Sequence, residues 1–243
     1  STVSQWADQS GSGTNASQGT SASQPVLVAN ALNGKPAVRF DGSNDYMTFN
    51  LPINGLTGMT VFLVSSNRAN QTAGSSQAEY AAIFWNETTS WGTVYLSPFQ
   101  SQVAWRFGTT QVNNRQIYTR PSSVGSGYTR TTMRHDGPAG TDTLYVNGVQ
   151  VQSATGKLSS LTGHQDTGNL GRGYNNNTYF NGDIVEVLVY NRTLSDSERQ
   201  SVEQYLNDKY FGGPSPTNTP VPPRPARGTS RKRSPRVVIV FAA

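Results

Sequence analysis

This 243-residue chain predicts an all-β fold: a two-sheet antiparallel β-sandwich closed by one C-terminal capped α-helix. Three observations predict it. Charged residues make up only 14% of the chain and glycines number 24, a composition poor for a helical bundle and rich in turn material. Short β-branched and aromatic runs recur between clusters of Ser, Thr, Asn and Gly. One segment alone combines helical spacing with a capping signal.

The elements follow in order. Trp6 is expected to anchor the N-terminus, and Ser10–Gln24 reads as a polar loop. Ala37–Phe40 is a short strand and Asp41–Asp45 a tight turn. Thr60–Ser65 (TVFLVS) and Ala81–Trp85 (AAIFW) read as buried strands. Thr93–Phe107 holds two strands with a turn over Ser97–Gln102. Thr129–Arg134 is a further strand, with a loop expected from His135 to Thr141. The run LYV-NG-VQVQ places Asn147-Gly148 between alternating strands. That is a hairpin signal, because a type I′ turn needs positive φ at both central residues. Asp183–Tyr190 (DIVEVLVY) is the most strand-like stretch. Ser195-Asp-Ser-Glu198 matches a capping box, and Val202, Tyr205, Leu206 and Tyr210 recur at 3–4 spacing to form one apolar stripe. Gly212, Gly213 and Pro214 end the helix.

Charge divides the chain in two. The formal charge of +5 suggests a nucleic-acid partner. However, residues 1–211 hold 13 Lys and Arg against 14 Asp and Glu, and residues 212–243 hold six basic residues and no acid. The sandwich therefore has no basic stripe for phosphates, and neither a nucleic-acid partner nor a membrane span is expected. With no cysteine, disulfides and thiolate chemistry are excluded. The start at Ser1 reads as a processed or trimmed chain. The sandwich domain is placed at 1–211, and 212–243 is read as a disordered Pro-rich basic linker or tail. Its apolar end, Val237–Ala243, is expected to be exposed and aggregation-prone, the product of a frameshift, a vector-encoded read-through or a truncated linker rather than a functional tail.

A family resemblance enters on Trp6–Gly11 (WADQSG), Asn33–Gly42 (NGKPAVRFDG), Leu144–Gly148 (LYVNG), Asn169–Gly173 (NLGRG), Tyr179–Glu186 (YFNGDIVE) and Asn191–Ser195 (NRTLS). In this order they resemble the concanavalin A-like lectin/glucanase (laminin-G-like jelly-roll) domains of bacterial secreted proteins. The resemblance spans roughly residues 3–211 and implies the sandwich and a secreted or cell-surface location. It also implies covalent neighbour domains in a longer protein, and a function among lectins, adhesion domains, glycoside hydrolases and polysaccharide lyases.

The candidate residues sort those functions. Jelly-roll hydrolases of this resemblance carry three acids on one strand, whereas here only Asp183 and Glu186 share one. A spacing of three puts them on opposite faces of a regular strand. They are expected to be structural, one of them hydrogen-bonded under the helix, and no catalytic residue is assigned. His135 is expected to be solvated in a turn, and His164 is the only other histidine. Asp41 and Asp45 have oxygen ligands at a spacing that suits a structural Ca²⁺, although Asx turns explain them as well. No cofactor is otherwise required. The aromatic residues are the most informative, because sugars stack their C–H faces on rings while amides and Arg bond the hydroxyls. Trp85, Trp91, Tyr95 and Trp105, with Arg106, Arg134, Tyr174 and Asn175, form the expected site, and Trp91 stands out for its polar turn. The expected function is a non-catalytic carbohydrate-binding or adhesion module for a polysaccharide or other glycan. A polysaccharide hydrolase or lyase, and a laminin-G-type protein-interaction domain, remain open beside it.

Overall fold

Two-residue alternation governs most of the chain. The computed structural model describes residues 1–69, 71, 80–87, 93–108, 115–121, 125–174, 177–212 and 237–243. The strands are β1 (Gln5–Trp6), β2 (Ala16–Ser17), β3 (Val26–Leu32), β4 (Lys35–Asp41), β5 (Met47–Asn50) and β6 (Gly58–Asn67). They continue as β7 (Ile83–Glu87), β8 (Thr93–Pro98), β9 (Gln102–Phe107), β10 (Gln116–Thr119) and β11 (Thr129–Asp136). β12 (Thr141–Val146), β13 (Val149–Thr155), β14 (His164–Leu170) and β15 (Asn181–Tyr190) precede the helix α1 (Asp196–Tyr210), and β16 (Val237–Ala242) follows it.

Two antiparallel sheets result. The first runs β13-β12-β11-β6-β15-β4-β3, with β16 also on β15, and carries the helix on its outer face. The second runs β1-β2-β5-β14-β7-β8-β9-β10. Between them lies the main core, which draws Val61, Leu63, Met133 and Val187 from the first sheet and Ile83, Trp85, Val94 and Trp105 from the second. The hairpin at Asn147-Gly148 has φ of 51° and 86°, the left-handed pair that a type I′ turn demands. Trp6 is buried as expected, and its indole N–H donates to Ala242 O at 2.9 Å.

The helix starts where the capping box sets it. Ser195 Oγ accepts from the Glu198 N–H at 3.3 Å, and Glu198 Oε2 accepts from the Ser195 N–H at 2.9 Å. Its buried seam differs from the expected apolar stripe. Arg199, Glu203, Leu206 and Tyr210 face the sheet, whereas Tyr205 is 46% exposed. Two charged residues can occupy a seam because each is paired: Arg199 bonds Glu203 at 2.5 Å and lies 3.9 Å over the Tyr145 ring.

Three expectations are corrected. The apolar end of the chain is no exposed tail. Val237–Ala242 is a strand paired with Glu186–Tyr190, and Ile239 and Phe241 are fully buried in the main core. An open stretch of β15 edge and an apolar hole in the core make that strand stable. Second, Asp183 and Glu186 lie on one face. The register against β6 slips between Ile184 and Glu186, so Val185 is an extra residue and the parity is restored after it. Third, β11 runs on through His135, which is fully buried and bonded through Nδ1 to Asp142 at 2.7 Å, rather than solvated in a turn.

Candidate functional site

Strand parity decides which aromatic residues can meet a ligand. In β7, β8 and β9 the residues Ile83, Trp85, Val94, Leu96, Val103, Trp105 and Phe107 all join the main core. Trp85 and Trp105 are both fully buried there. The Trp85 indole N–H donates to Leu51 O at 3.3 Å, and its ring meets Phe49 edge-on at 5.3 Å. Phe49 can lie so close because its neighbour is Gly168, where a Cβ would fall 2.3 Å from the Phe49 ring. Trp105 donates to Gln152 Oε1 at 2.9 Å. Their faces are spent on protein, so the expectation that they form a sugar platform is corrected.

The opposite parity puts Tyr95 and Arg106 on the outer face of the second sheet. The register lines up Thr48, Asn169, Phe84, Tyr95 and Arg106 as one row across five strands. Phe84 and Tyr95 stack with centroids 6.2 Å apart and 14° between planes. They form a separate aromatic cluster with Phe99 and Ala104, against which Tyr80 and Tyr174 pack. Three expected residues, Tyr95, Arg106 and Tyr174, thus belong to this face. Tyr95 and Arg106 are buried and make its floor, while Tyr174 is half-buried at its side. Trp91 and Asn175 lie outside the described residues.

The open end of the row is at β5 and β14. Arg172 lies over the Tyr46 ring, with its guanidinium carbon 3.8 Å from the centroid. Its Nη2 donates to Asn169 Oδ1 at 3.2 Å, and the Tyr179 ring stands 6.4 Å from Tyr46. Tyr46, Thr48, Asn169 and Arg172 are all half-exposed, and Asn50 and Thr167 beside them are exposed. A ring edge, a guanidinium, an amide and hydroxyls are held together here by strand register and a cation–π contact. This set was missed in the sequence. Its signal was the outward parity of Tyr46 and Thr48, next to inward Met47 and Phe49.

The remaining candidates are structural in this geometry. Arg134 donates to Leu194 O at 3.1 Å and pairs with Asp196 at 2.7 Å, which ties β11 to the helix start. Asp41 Oδ1 accepts the N–H groups of Ser43, Asn44 and Asp45 at 2.8, 3.1 and 3.1 Å, and Asp45 Oδ2 accepts that of Asp41 at 3.1 Å. This is the self-closing Asx geometry. Burial, reinforced by the Asp41 carboxylate, pushes Asp45 up to about 6. Among the described residues no three His, Cys, Asp or Glu gather to hold a metal. His164 Nε2 lies 2.8 Å from Gly108 O, and burial pushes this imidazole down, so it is the neutral donor.

The two acids of β15 are fully engaged. Asp183 takes Arg39 through two bonds of 2.7 and 2.9 Å and the Tyr128 hydroxyl at 2.6 Å. Glu186 sits under the helix, as expected, and accepts from Tyr210 at 2.5 Å, Lys209 at 2.8 Å and Tyr205 at 3.2 Å. Glu186 also lines the groove between the helix and β16, but its two oxygens are spent on these three donors.

Comparison with known proteins adds the family. No curated protein sequence matches significantly. Among solved structures, the binding domain of Paraclostridial Mosquitocidal Protein 1 is similar with a TM-score of 0.62 and 16% identity, over 84% of this chain and 52% of that one. The binding domain of botulinum neurotoxin DC in complex with SialylT gives 0.57 and 12%, over 84% and 52%. A heptameric SAP-like pentraxin from Limulus polyphemus gives 0.52 and 8%, over 69% and 81%. The chain spans about half the length of these two binding domains, and identities this low show a shared fold. The family model for the concanavalin A-like lectin/glucanases superfamily matches residues 41–198, well over half of the sequence. The row of outward side chains is therefore carried by a domain that belongs to the concanavalin A-like lectin/glucanase superfamily.

Proposed function

We propose that this domain is an exported, non-catalytic carbohydrate-binding module of a longer extracellular protein. It holds a glycan at the open end of the second sheet's outer face, where Arg172 lies over Tyr46 beside Asn169 and Thr48. The observation that carries this reading is the half-exposed Arg172–Tyr46 pair, with the guanidinium carbon 3.8 Å from the ring centroid and Arg172 hydrogen-bonded to Asn169. It sets an aromatic ring for sugar C–H groups beside the Asn169 amide and the Thr48 hydroxyl for sugar hydroxyls, the two kinds of contact a neutral glycan needs. Support of a broader kind comes from similar folds that serve as binding domains, one of them in complex with SialylT. No described helix is long and apolar enough to cross a membrane, which agrees with an exported module. Trp91, Tyr174 and Asn175 are further proposed contacts from the loops, and a polysaccharide is the proposed partner. The engagement of Asp183 and Glu186 in buried pairs speaks for binding without hydrolysis.

The test is retention on a panel of soluble and insoluble polysaccharides, with new reducing ends measured in parallel. Tyr46→Ala and Arg172→Ala are each expected to weaken retention about tenfold, equivalent to about 1.4 kcal/mol. Unaltered retention in both variants overturns the site, and reducing ends that vanish in Glu186→Gln overturn the non-catalytic reading. Chelation by EDTA is expected to leave retention unchanged. Lost retention would instead show a metal requirement, which Asp45→Asn would then test at the Asp41–Asp45 turn.

A further inference from the structure

The last strand of the chain occupies a slot between β15 and the Trp6–Gln9 segment. On one side Val237–Ala242 pairs antiparallel with Glu186–Tyr190. On the other, Val240 O accepts from the Gln9 N–H at 2.8 Å, the Val240 N–H donates to Asp8 Oδ1 at 2.9 Å, and Ala242 O accepts from the Trp6 indole at 2.9 Å. Ile239 and Phe241 fill the core below, with Phe241 5.7 Å from Trp6 and 5.6 Å from Phe49, ring to ring. The seat is open at both flanks. A groove of about 320 Å³ separates Val240 from Val202 and Tyr205 of the helix, and another of about 420 Å³ opens beside Ala242 against Leu27 and Val38.

Without this strand the slot has one unpaired β edge, that of β15, and the unpaired groups of Trp6, Asp8 and Gln9 opposite it, over an apolar hole, which is a template for a strand of matching pattern. The segment that supplies the strand is attached through 24 residues, 213–236, seven of them proline. Such a tether reaches at most about 80 Å when extended, enough to enter the slot of a neighbouring molecule. We infer that the slot is a strand-acceptor site that takes Val237–Ala242 from a second copy of the chain as well as from its own, yielding reciprocally exchanged dimers. The contacts are identical in both arrangements, so only tethering and concentration set the balance. For a tether with an effective concentration of about 1 mM, exchange involves about 1% of chains at about 10 μM and about half at about 1 mM.

The experiment uses the full chain, whose lack of cysteine gives a clean background. Leu188 and Val240 are direct partners, and Val240 turns its N–H and C=O toward Asp8 and Gln9, so the pair is of the non-hydrogen-bonded kind. Such pairs bring Cα atoms to about 4.5 Å, within the range for a disulfide. Chains carrying Leu188→Cys are mixed with chains carrying Val240→Cys, equilibrated and briefly oxidised. The yield of linked dimers is expected to rise about 50-fold from about 10 μM to about 1 mM. Chains with Val149→Cys, on the exposed β13 edge, are expected to stay unlinked to the Val240→Cys partner. Absence of linked dimers while the double variant closes within one chain overturns exchange, as does equal linking through Val149→Cys. Sedimentation of the unmodified chain at about 1 mM is the second reading: a dimer fraction supports exchange and pure monomer overturns it.

Discussion

Asp45 is the residue whose titration most directly reports on the fold. Burial, and then the Asp41 carboxylate, raise it from its ordinary 3.8 to about 6, against the opposing Asp41 N–H. The folded chain therefore binds this proton more tightly than the unfolded chain between pH 4 and 6. Stability is fully relieved of the cost below about pH 4 and declines as pH rises through about 6. Asp8 works in the opposite sense and at lower pH. Burial raises it, but the N–H groups of Val240 and Ser10 and the hydroxyls of Ser12 and Ser10 outweigh that and hold it at about 2. Its contribution is present above about pH 4 and is lost as pH falls toward 2, so the two windows separate. Between pH 4 and pH 6 the stability advantage of Asp45→Asn, which keeps an acceptor for the Asp41 N–H, over the native chain is expected to grow, read as the difference of their urea midpoints. A difference that stays constant over that range would refute the assignment. Residue parity was also where the site was partly legible in the sequence. In QVAWRF, Trp105 shares parity with the apolar Val103 and Phe107, and in AAIFW, Trp85 shares it with Ile83. Both facts mark them as core. Stacking chemistry favoured them as a platform, but the two-residue period decides which face a ring is on. Arg172 over Tyr46 was not legible, because their meeting depends on the β5–β14 register between residues more than 100 positions apart.

At the scale of elements, local signals were read well and long-range ones were not. The Asn147-Gly148 hairpin and the Ser195–Glu198 capping box are encoded within a few residues, and both stand where the sequence put them. The bulge at Val185 and the docking of β16 are not local. The first arises where β15 must match β6 and still present Glu186 to the helix. The second needs an open β15 edge that no sequence pattern advertises. The weight of β16 in the core is measurable. Phe241 is fully buried and contacts Trp6 and Phe49, so Phe241→Ala is expected to destabilise the domain by about 3–5 kcal/mol, through lost burial and the cavity left behind. Val149→Ala, at a side chain 64% exposed on the β13 edge, is expected to change stability by no more than about 0.5 kcal/mol. Chemical denaturation of both variants checks this. A Phe241→Ala chain as stable as Val149→Ala would remove β16 from the structural core.

Over the whole molecule, the charge map separates two ways of holding a polysaccharide. The +5 of the chain arises from the six basic residues of 213–236, beside a sandwich that is nearly neutral. Arg224, Arg227, Arg231, Lys232, Arg233 and Arg236 would attract any polyanion, whereas the Arg172–Tyr46 site works by short-range stacking and hydrogen bonds. The two differ in their response to salt. Long-range attraction is screened as the Debye length shrinks from about 10 Å at 0.1 M to about 3 Å at 1 M, and contacts inside a stacked site are little affected. Retention on a neutral polysaccharide through the sandwich is therefore expected to survive about 1 M NaCl and to be weakened about tenfold in Tyr46→Ala at any salt. Retention on a sulfated or carboxylated polymer through the basic segment would show the reverse, being indifferent to Tyr46→Ala and abolished by salt. If salt removes all binding, including that to neutral glycans, the sheet face is not the site, and affinity resides in the basic segment. The same measurement weighs the protein-interaction reading, because a domain that retains no glycan at low or high salt has its partner elsewhere.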